Sequence, residues 1–361
     1  MTASYQTRLR TPTGGLIAVI TDFLQLGYTR KRNSPGAAAF VLSGAHRAAL
    51  SVERDCIVEF WRRDPEAGLP WYSDFTALVA GTDWERTDRE TLAITCLGPL
   101  DLLDRRIIAY PAGTTGRSEF AGAPAETVLK ELVRHNATAL ATVANGREED
   151  GRFTNVTITV EPDQGRGIVK PLGCSHKNLL DTLQAHAAAC GDDFDLVQVG
   201  DAAFEFRYYH GQRGQDKTGS VVVAIERGNA KRVRYRESWA GQATAAIVAG
   251  QGQGAAREIL VVHSADHTPG NHREIFVDAN DVTLGDTAAL QARGQERLLE
   301  NAGVHELEFE VIPNQSTVYG RDWDLGDLVT GLYRNVEAVL WVDEVTVVVD
   351  SQGERIGMGP A

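Results

Sequence analysis

Strand-length runs, each closed by a turn signal, recur through the first hundred positions and leave little room for anything but sheet. Residues 16–20, 24–29, 38–42, 56–61, 71–79 and 91–97 are rich in apolar, β-branched and aromatic side chains. Between them lie Thr13-Gly-Gly15, Asn33-Ser-Pro-Gly36, the stretch 65–70 bounded by prolines, and the polar stretch 82–89. Many short strands at such spacing predict an antiparallel barrel or sandwich.

The pattern changes between 111 and 191. Pro124 suits a first helical turn, and Val128, Leu129, Leu132 and Val133 then fall on one helical face. A second helix is predicted from Ser175 as N-cap, through Leu179, Leu180, Leu183 and Ala187, to a stop at Gly191. Between them, 147–152 reads as a polar turn and 156–160 as a strand. Strands resume at 194–199, 204–209, 221–225, 233–238, 244–249 and 258–263. A third helix, over about 286–302, starts at Asp286, turns Leu290, Leu298 and Leu299 inward and ends at Gly303. Gly294 weakens it by about 1 kcal/mol relative to Ala, which points to a kink or a close backbone approach there. A strand at 306–312 leads to the closing segment. There 328–332 and 336–349 read as a β-hairpin unit, punctuated by Gly320, Gly326 and Gly331. Strands, helices, strands, one helix and strands again predict an α+β, mainly β fold rather than an alternating parallel one.

The chain has 361 residues, enough for two or three domains, and a net charge of −13. That charge disfavours tight nucleic-acid binding, which rests on neutralising phosphates with Lys and Arg. No apolar run approaches the roughly 20 residues of a membrane span. The first ten residues lack the apolar core of a secretory signal, so use without Sec export is expected. The Asn-x-Ser/Thr triplets at Asn136, Asn155 and Asn314 then carry no glycan. Cys56, Cys96, Cys174 and Cys190 lie far apart without a CxxC pair and read as buried thiols in a reducing compartment.

Four groups invite chemistry. Gly250-Gln-Gly-Gln-Gly254 resembles a phosphate loop, but a strand follows it where a helix N-terminus is needed, so it reads as a hairpin connection. His263, Asp266, His267, His272 and Glu274 are the densest set of potential metal ligands, yet their spacing fits no helical metal motif. A solvated loop is the plainer reading, an incidental or structural metal the alternative. Asp322, Asp324 and Asp327 are spaced like ligands of a hard cation, but a strand follows, and they read as turn-formers and strand-edge charges. Trp61, Trp71, Tyr72, Phe75 and Trp84 concentrate aromatics in the first β block, for core and interface packing or else for a carbohydrate platform. These readings assign no catalytic, cofactor-binding or metal residue and expect no cofactor.

Several stretches, taken in order, resemble bacteriophage tail-tip or baseplate-hub proteins of siphoviruses, related to the central hub of contractile tails. They are Leu26-Gly-Tyr-Thr-Arg-Lys-Arg-Asn-Ser-Pro-Gly36, Phe40-Val-Leu42, Leu97-Gly-Pro-Leu-Asp-Leu-Leu-Asp-Arg-Arg106 and Asn178-Leu-Leu-Asp-Thr-Leu183. Gly228-Asn229, Phe276-Val-Asp278 and Gly320-Arg-Asp-Trp-Asp-Leu-Gly-Asp-Leu-Val329 complete the series, which covers nearly the whole chain. The resemblance implies two tube-type antiparallel β-barrels with an inserted α/β domain. Placed on this sequence, the first barrel spans 1–110, completed by strands within 220–240; the insertion spans 111–219; the second barrel, with its helix, spans 241–361. It further implies a non-enzymatic virion protein, made in the host cytoplasm and placed at the tail tip. Three copies would form a ring that closes the distal tube and lets DNA pass unbound. Implied neighbours are a distal tail protein, a tail tube protein, a tape-measure protein and tip or fibre proteins. The competing readings are a carbohydrate or peptidoglycan hydrolase using an acidic pair or the His263–His272 loop, and a carbohydrate-binding module using the Trp71–Trp84 region.

Overall fold

A computed structural model describes residues 3–109, 118–141, 143, 153, 155–312, 317–334 and 336–359. The expected turn at 147–152, Asn314 and the expected boundary at 110/111 lie outside them. In chain order the strands and helices begin with β1 (Ser4–Arg10), β2 (Leu16–Ile20), β3 (Gln25–Lys31), β4 (Ser34–Ser43), β5 (Ile57–Asp64), β6 (Leu69–Arg86), β7 (Glu90–Leu97) and α1 (Asp101–Asp104). Next come β8 (Ser118–Phe120), α2 (Ala125–Ala137), β9 (Thr157–Val160), β10 (Leu172–Cys174), α3 (Leu179–Cys190), β11 (Asp193–Gly200), β12 (Ala203–Tyr209) and β13 (Val222–Val223). Then follow β14 (Ala230–Ser238), β15 (Ala245–Ala249), β16 (Ile259–His263), β17 (Glu274–Asp278), α4 (Thr287–Glu300) and β18 (Val304–Val311). The chain ends in β19 (Leu328–Tyr333), β20 (Val336–Trp341), β21 (Glu344–Asp350) and β22 (Gly353–Gly359). The mainly β, α+β character expected from the sequence is what forms.

Two compact units divide the chain: 1–233 together with 308–361, and 234–307. The expected span 241–361 is thereby shared between them. The large unit is organised by an eleven-stranded sheet in the order β14-β18-β22-β21-β3-β4-β7-β6-β5-β1-β2. Two closed barrels were expected, but among the described residues no sheet closes on itself; this one ends at β2 and β14. The reason lies in the closing segment. Only β19 and β20 form the predicted hairpin, Thr330 opposite Val339, and β13 adds to it in parallel. Past Trp341 the chain turns away, and β21 pairs antiparallel with β3, Val347 opposite Tyr28.

Period-two burial makes the sheet. Tyr5, Thr7 and Leu9 of β1 point inward in alternation, as do Val345 and Val347 of β21. Between β3 and β4, Asn33 takes φ 53°, a left-handed turn conformation that Asn tolerates better than most side chains. At the far end β2 reads Leu-Ile-Ala-Val-Ile, an edge strand without a charge or a proline, with Leu16 and Val19 exposed. Such an edge lacks the charges and prolines that often block further strand pairing, although a register shift at Leu9/Arg10 interrupts its ladder with β1.

A helical layer covers part of this unit. Val128, Leu129, Leu132 and Val133 of α2 are buried, as the periodicity predicts, with Leu179, Leu180, Leu183 and Ala187 of α3. Ile57 of β5 and Leu78 of β6 belong to the same apolar cluster, which welds the helices to the sheet. The α3 cap is corrected from Ser175 to Asn178, whose Oδ1 accepts the Asp181 N–H at 3.0 Å. A helix cannot begin earlier because the backbone of 176–177 is committed elsewhere: His176 N donates to Ile108 O and Ile108 N to Lys177 O, both at 2.8 Å. Gly191 ends α3 as predicted, at φ 74°.

The small unit is a three-stranded sheet, β16-β15-β17, backed by α4. Asp286 caps α4 by accepting the Ala289 N–H at 3.0 Å. Leu290, Gly294 and Leu298, four apart, form its buried stripe. Leu299, expected inside, lies about 100° off that stripe and is 78% exposed. The close approach inferred at Gly294 is present: a Cβ there would stand 2.7 Å from Val262 Cγ2 and 2.8 Å from Val248 Cγ2.

Candidate functional site

A buried polar cluster of the large unit lies where the 317–327 segment and β22 meet β1, β3, β5 and β6. It has two centres. Arg30 of β3 extends Nη1 to Asp74 at 3.0 Å, to Asp324 at 2.7 Å and to the Tyr319 hydroxyl at 2.6 Å. The Tyr319 hydroxyl donates to Asp74 Oδ1 at 2.8 Å, and Tyr28 donates to Asp74 Oδ2. The second centre is Arg62 of β5, whose side chain has no exposed surface. Its Nε faces the Tyr5 hydroxyl and Glu354, each at 3.0 Å, while Nη1 reaches the Tyr72 hydroxyl at 3.3 Å and the Tyr319 carbonyl at 3.4 Å. Tyr5 also donates to Glu354. Gly320, at φ 79°, lets the segment pass: a Cβ there would sit 2.6 Å from Tyr72 Oη.

Burial sets the protonation states. Burial pushes the Tyr5, Tyr28, Tyr72 and Tyr319 hydroxyls up from their ordinary values, so all four remain neutral. Burial also raises the Asp74 carboxyl, against the pull of Arg30 and with a further push from Asp324. Arg30 is driven up despite its own burial, chiefly by Asp324. Each arginine is thus a fixed cation ringed by acceptors. The arrangement holds segments together that are up to 349 positions apart in the chain. It fastens the sheet rather than presenting a reactive group.

This cluster was not singled out in the sequence, although one signal existed. Val58, Phe60 and Arg62 share one parity of a strand, so a charge occupies an inward apolar position. A buried charge of that kind demands a partner.

Asp322 accepts the Val318 N–H at 2.8 Å, Asp327 accepts the Gln215 N–H at 2.7 Å and the Asp324 N–H at 3.0 Å, and Asp324 pairs with Arg30. They are turn-formers and ion-pair partners, as the following strand suggested. The aromatics form no common platform. Phe75 stacks on Tyr28 and Phe60 in the core, Trp61 lies under Arg8 with 3.7 Å from guanidinium carbon to ring centroid, Trp71 lies under Arg63, and Trp84 is exposed on the β6–β7 hairpin. The glycine-rich stretch connects antiparallel β15 and β16, with Arg257 donating to the carbonyls of Ala249 and Gly250. Cys56, Cys96 and Cys174 are buried free thiols, and Cys190, also free, is partly exposed. The His263–Glu274 stretch brings its three imidazoles together at the β16–β17 loop, with His267 Nε2 and His272 Nδ1 2.8 Å apart. No described helix is long and apolar enough to cross a membrane.

A family model described as Siphovirus ReqiPepy6 Gp37-like protein matches residues 6–358. No curated protein matches the sequence. Among solved structures, the 43 kDa tail protein of prophage MuSo2 from Shewanella oneidensis is similar at TM-score 0.64 and 14% identity, over 99% of this chain and 97% of that one. A tail protein from Neisseria meningitidis MC58 is similar at TM-score 0.60 and 12% identity, over 99% and 96%. The E. coli c3393 protein, a type VI secretion component with structural similarity to T4 bacteriophage tail proteins gp27 and gp5, follows at TM-score 0.50 and 10% identity, over 98% and 75%. At these identities the likeness establishes a shared fold.

Proposed function

This chain belongs to the siphovirus Gp37-like family, and from that premise we propose that it is a structural component of a phage or phage-derived tail. In this reading it is the hub or tail-tip protein. Three copies assemble into a ring that closes the distal tube and organises the tip for host attachment. The observation that carries the reading is the whole-chain fold shared with prophage tail proteins, in a molecule whose Arg30 and Arg62 cluster fastens strands together. The tube-type barrels belong to the same proposal: the open eleven-stranded sheet, with an apolar β2 edge free of charge and proline, is completed by neighbouring copies. The 1–110, 111–219 and 241–361 division then describes roles within the ring, tube walls at either end and an insertion between.

Partners in this reading are the distal tail protein, the tail tube protein, the tape-measure protein and tip or fibre proteins. A trimer carries 3 × −13 = −39 charges, and an acidic channel wall lets DNA slide without sticking. The protein works in the virion tail, after synthesis in the host cytoplasm, and its work is contact rather than catalysis. A permanent ring interface buries on the order of 2,000 Å² or more. Light scattering on the full chain tests the proposal, with a mass three times 39.2 kDa expected. A strict monomer at high concentration that also fails to associate with co-expressed tail proteins overturns it.

A further inference from the structure

The loop between β16 and β17 gathers three imidazoles that nothing above uses. His263 closes β16, and its ring stacks on that of His267 with centroids 3.9 Å apart and planes 12° from parallel. His272 stands edge-on to both, 5.1 Å from His267 and 6.5 Å from His263. His267 Nε2 and His272 Nδ1, 2.8 Å apart, share a single proton, because one ring nitrogen of such a pair must accept. Glu274 Oε1 lies 3.0 Å from His272 Nε2. That carboxylate holds a proton on Nε2 and leaves the Nδ1 lone pair aimed at His267. A carboxylate behind the far nitrogen is how imidazole ligands are commonly oriented towards a metal.

The scaffold under the loop is braced. The Thr244 hydroxyl donates to Asn271 O at 2.7 Å and accepts the Arg273 N–H at 2.9 Å. Asn271 Nδ2 donates to Asp266 O at 3.2 Å. In the sheet, His263 and Glu274 flank Ala245 in register from opposite sides, so both stand on one face with a small side chain between them.

We propose that His267 Nε2 and His272 Nδ1 form the core of a binding site for a divalent transition-metal ion of the zinc, nickel and copper class. His263 turns in as a third ligand, Glu274 orients His272 from behind, and water completes the coordination. Two imidazole nitrogens on one tetrahedral Zn²⁺ stand about 3.3 Å apart, given bonds of about 2.0–2.1 Å. The ion therefore replaces the shared proton with an opening of roughly half an ångström. Among the described residues no three His, Cys, Asp or Glu side chains are placed to hold a metal ion as they stand, so this site requires the imidazoles, His263 above all, to rotate around the ion. Nitrogen donors select against Ca²⁺ and Mg²⁺.

The test is calorimetric titration of the full chain, stripped with a chelator, using Zn²⁺, Co²⁺ and Ca²⁺. The expected result is one Zn²⁺ or Co²⁺ per chain, no Ca²⁺, and tetrahedral visible absorption from Co²⁺. Affinity should fall at acidic pH, where protons compete with the ion for the ring nitrogens. His267→Ala and His272→Ala should each weaken binding more than tenfold, Glu274→Gln about tenfold, and His46→Ala not at all. Circular dichroism reports folding of each variant independently of the metal. No heat at millimolar Zn²⁺, or binding unchanged in the His267→Ala/His272→Ala double variant, overturns the site. Binding unchanged in His263→Ala removes that residue as third ligand.

Discussion

Arg62 carries a full charge with no exposed surface, and what it stabilises depends on its acceptors. Removing one partner of a buried pair strands the other charge, at a cost of about 3–5 kcal/mol. Arg62→Ala should therefore lose about that much stability in urea denaturation, since among the described residues Arg62 is the ion-pair partner of both Glu354 and Asp64. Arg62→Met combined with Glu354→Met, which removes both charges and keeps volume, should recover most of the loss. A loss as large in the double variant would show that shape, not charge, governs the site. Glu126 makes a second residue-scale case. Burial alone raises its carboxyl, but bonds from Arg166 and Lys130 overcome this and bring it down from 4.5 to about 2. A depressed folded value means stability that is fully present above pH 4.5 and lost as pH falls towards 2. Acid denaturation curves should show that loss, and Glu126→Gln, less stable at neutral pH because Lys130 stays buried, should flatten it.

For single elements the sequence was legible where one face and one partner decide the outcome. β2 and the inward residues of α2 are read from period alone, and Gly294 was readable as a close approach. Replacing Gly294 by Ala gains about 1 kcal/mol of helix propensity but drives a methyl into Val248 and Val262, an overpacking cost of about 1–3 kcal/mol. We expect a net loss, seen as faster limited proteolysis of 234–307. A variant more stable than the parent would mean the two valines yield freely. Elements decided by distant partners were not legible. The stretch 82–89 looks like a turn, yet β6 runs on to Arg86 because Asp83 pairs with Ala93 and Trp84 with Leu92. Ser175 looks like a cap, yet the pairing of 176–177 with Ile108 moves the helix start to Asn178.

On the scale of the whole molecule, the family was legible because weak motifs kept their order, whereas the destination of the closing segment was not. Nothing local in Val345 or Val347 announces that β21 sits beside β3. The buried cluster was hidden for the same reason, its ion pairs spanning as many as 294 positions. The small unit leaves and rejoins the large one through β14 and β18. These run antiparallel: Ile312 N donates to Asn229 O at 2.8 Å, and Lys231 pairs with Glu310 at 3.1 Å. Replacing 234–307 by a tight turn should therefore leave the large unit folded, with a single cooperative thermal transition. A broad, non-cooperative transition would show that the units are not separable.

The pairing of β3 with β21 also sets a timetable for biosynthesis. A ribosome adding about 5–20 residues per second delivers Lys31 tens of seconds before Asp350. For that interval β3 holds a row of open backbone donors and acceptors, a template for whichever extended segment arrives first. Nascent β1 to β7 therefore wait, half a sheet, for a partner still being translated, and the yield of correctly finished molecules is decided by a race between elongation and mispairing.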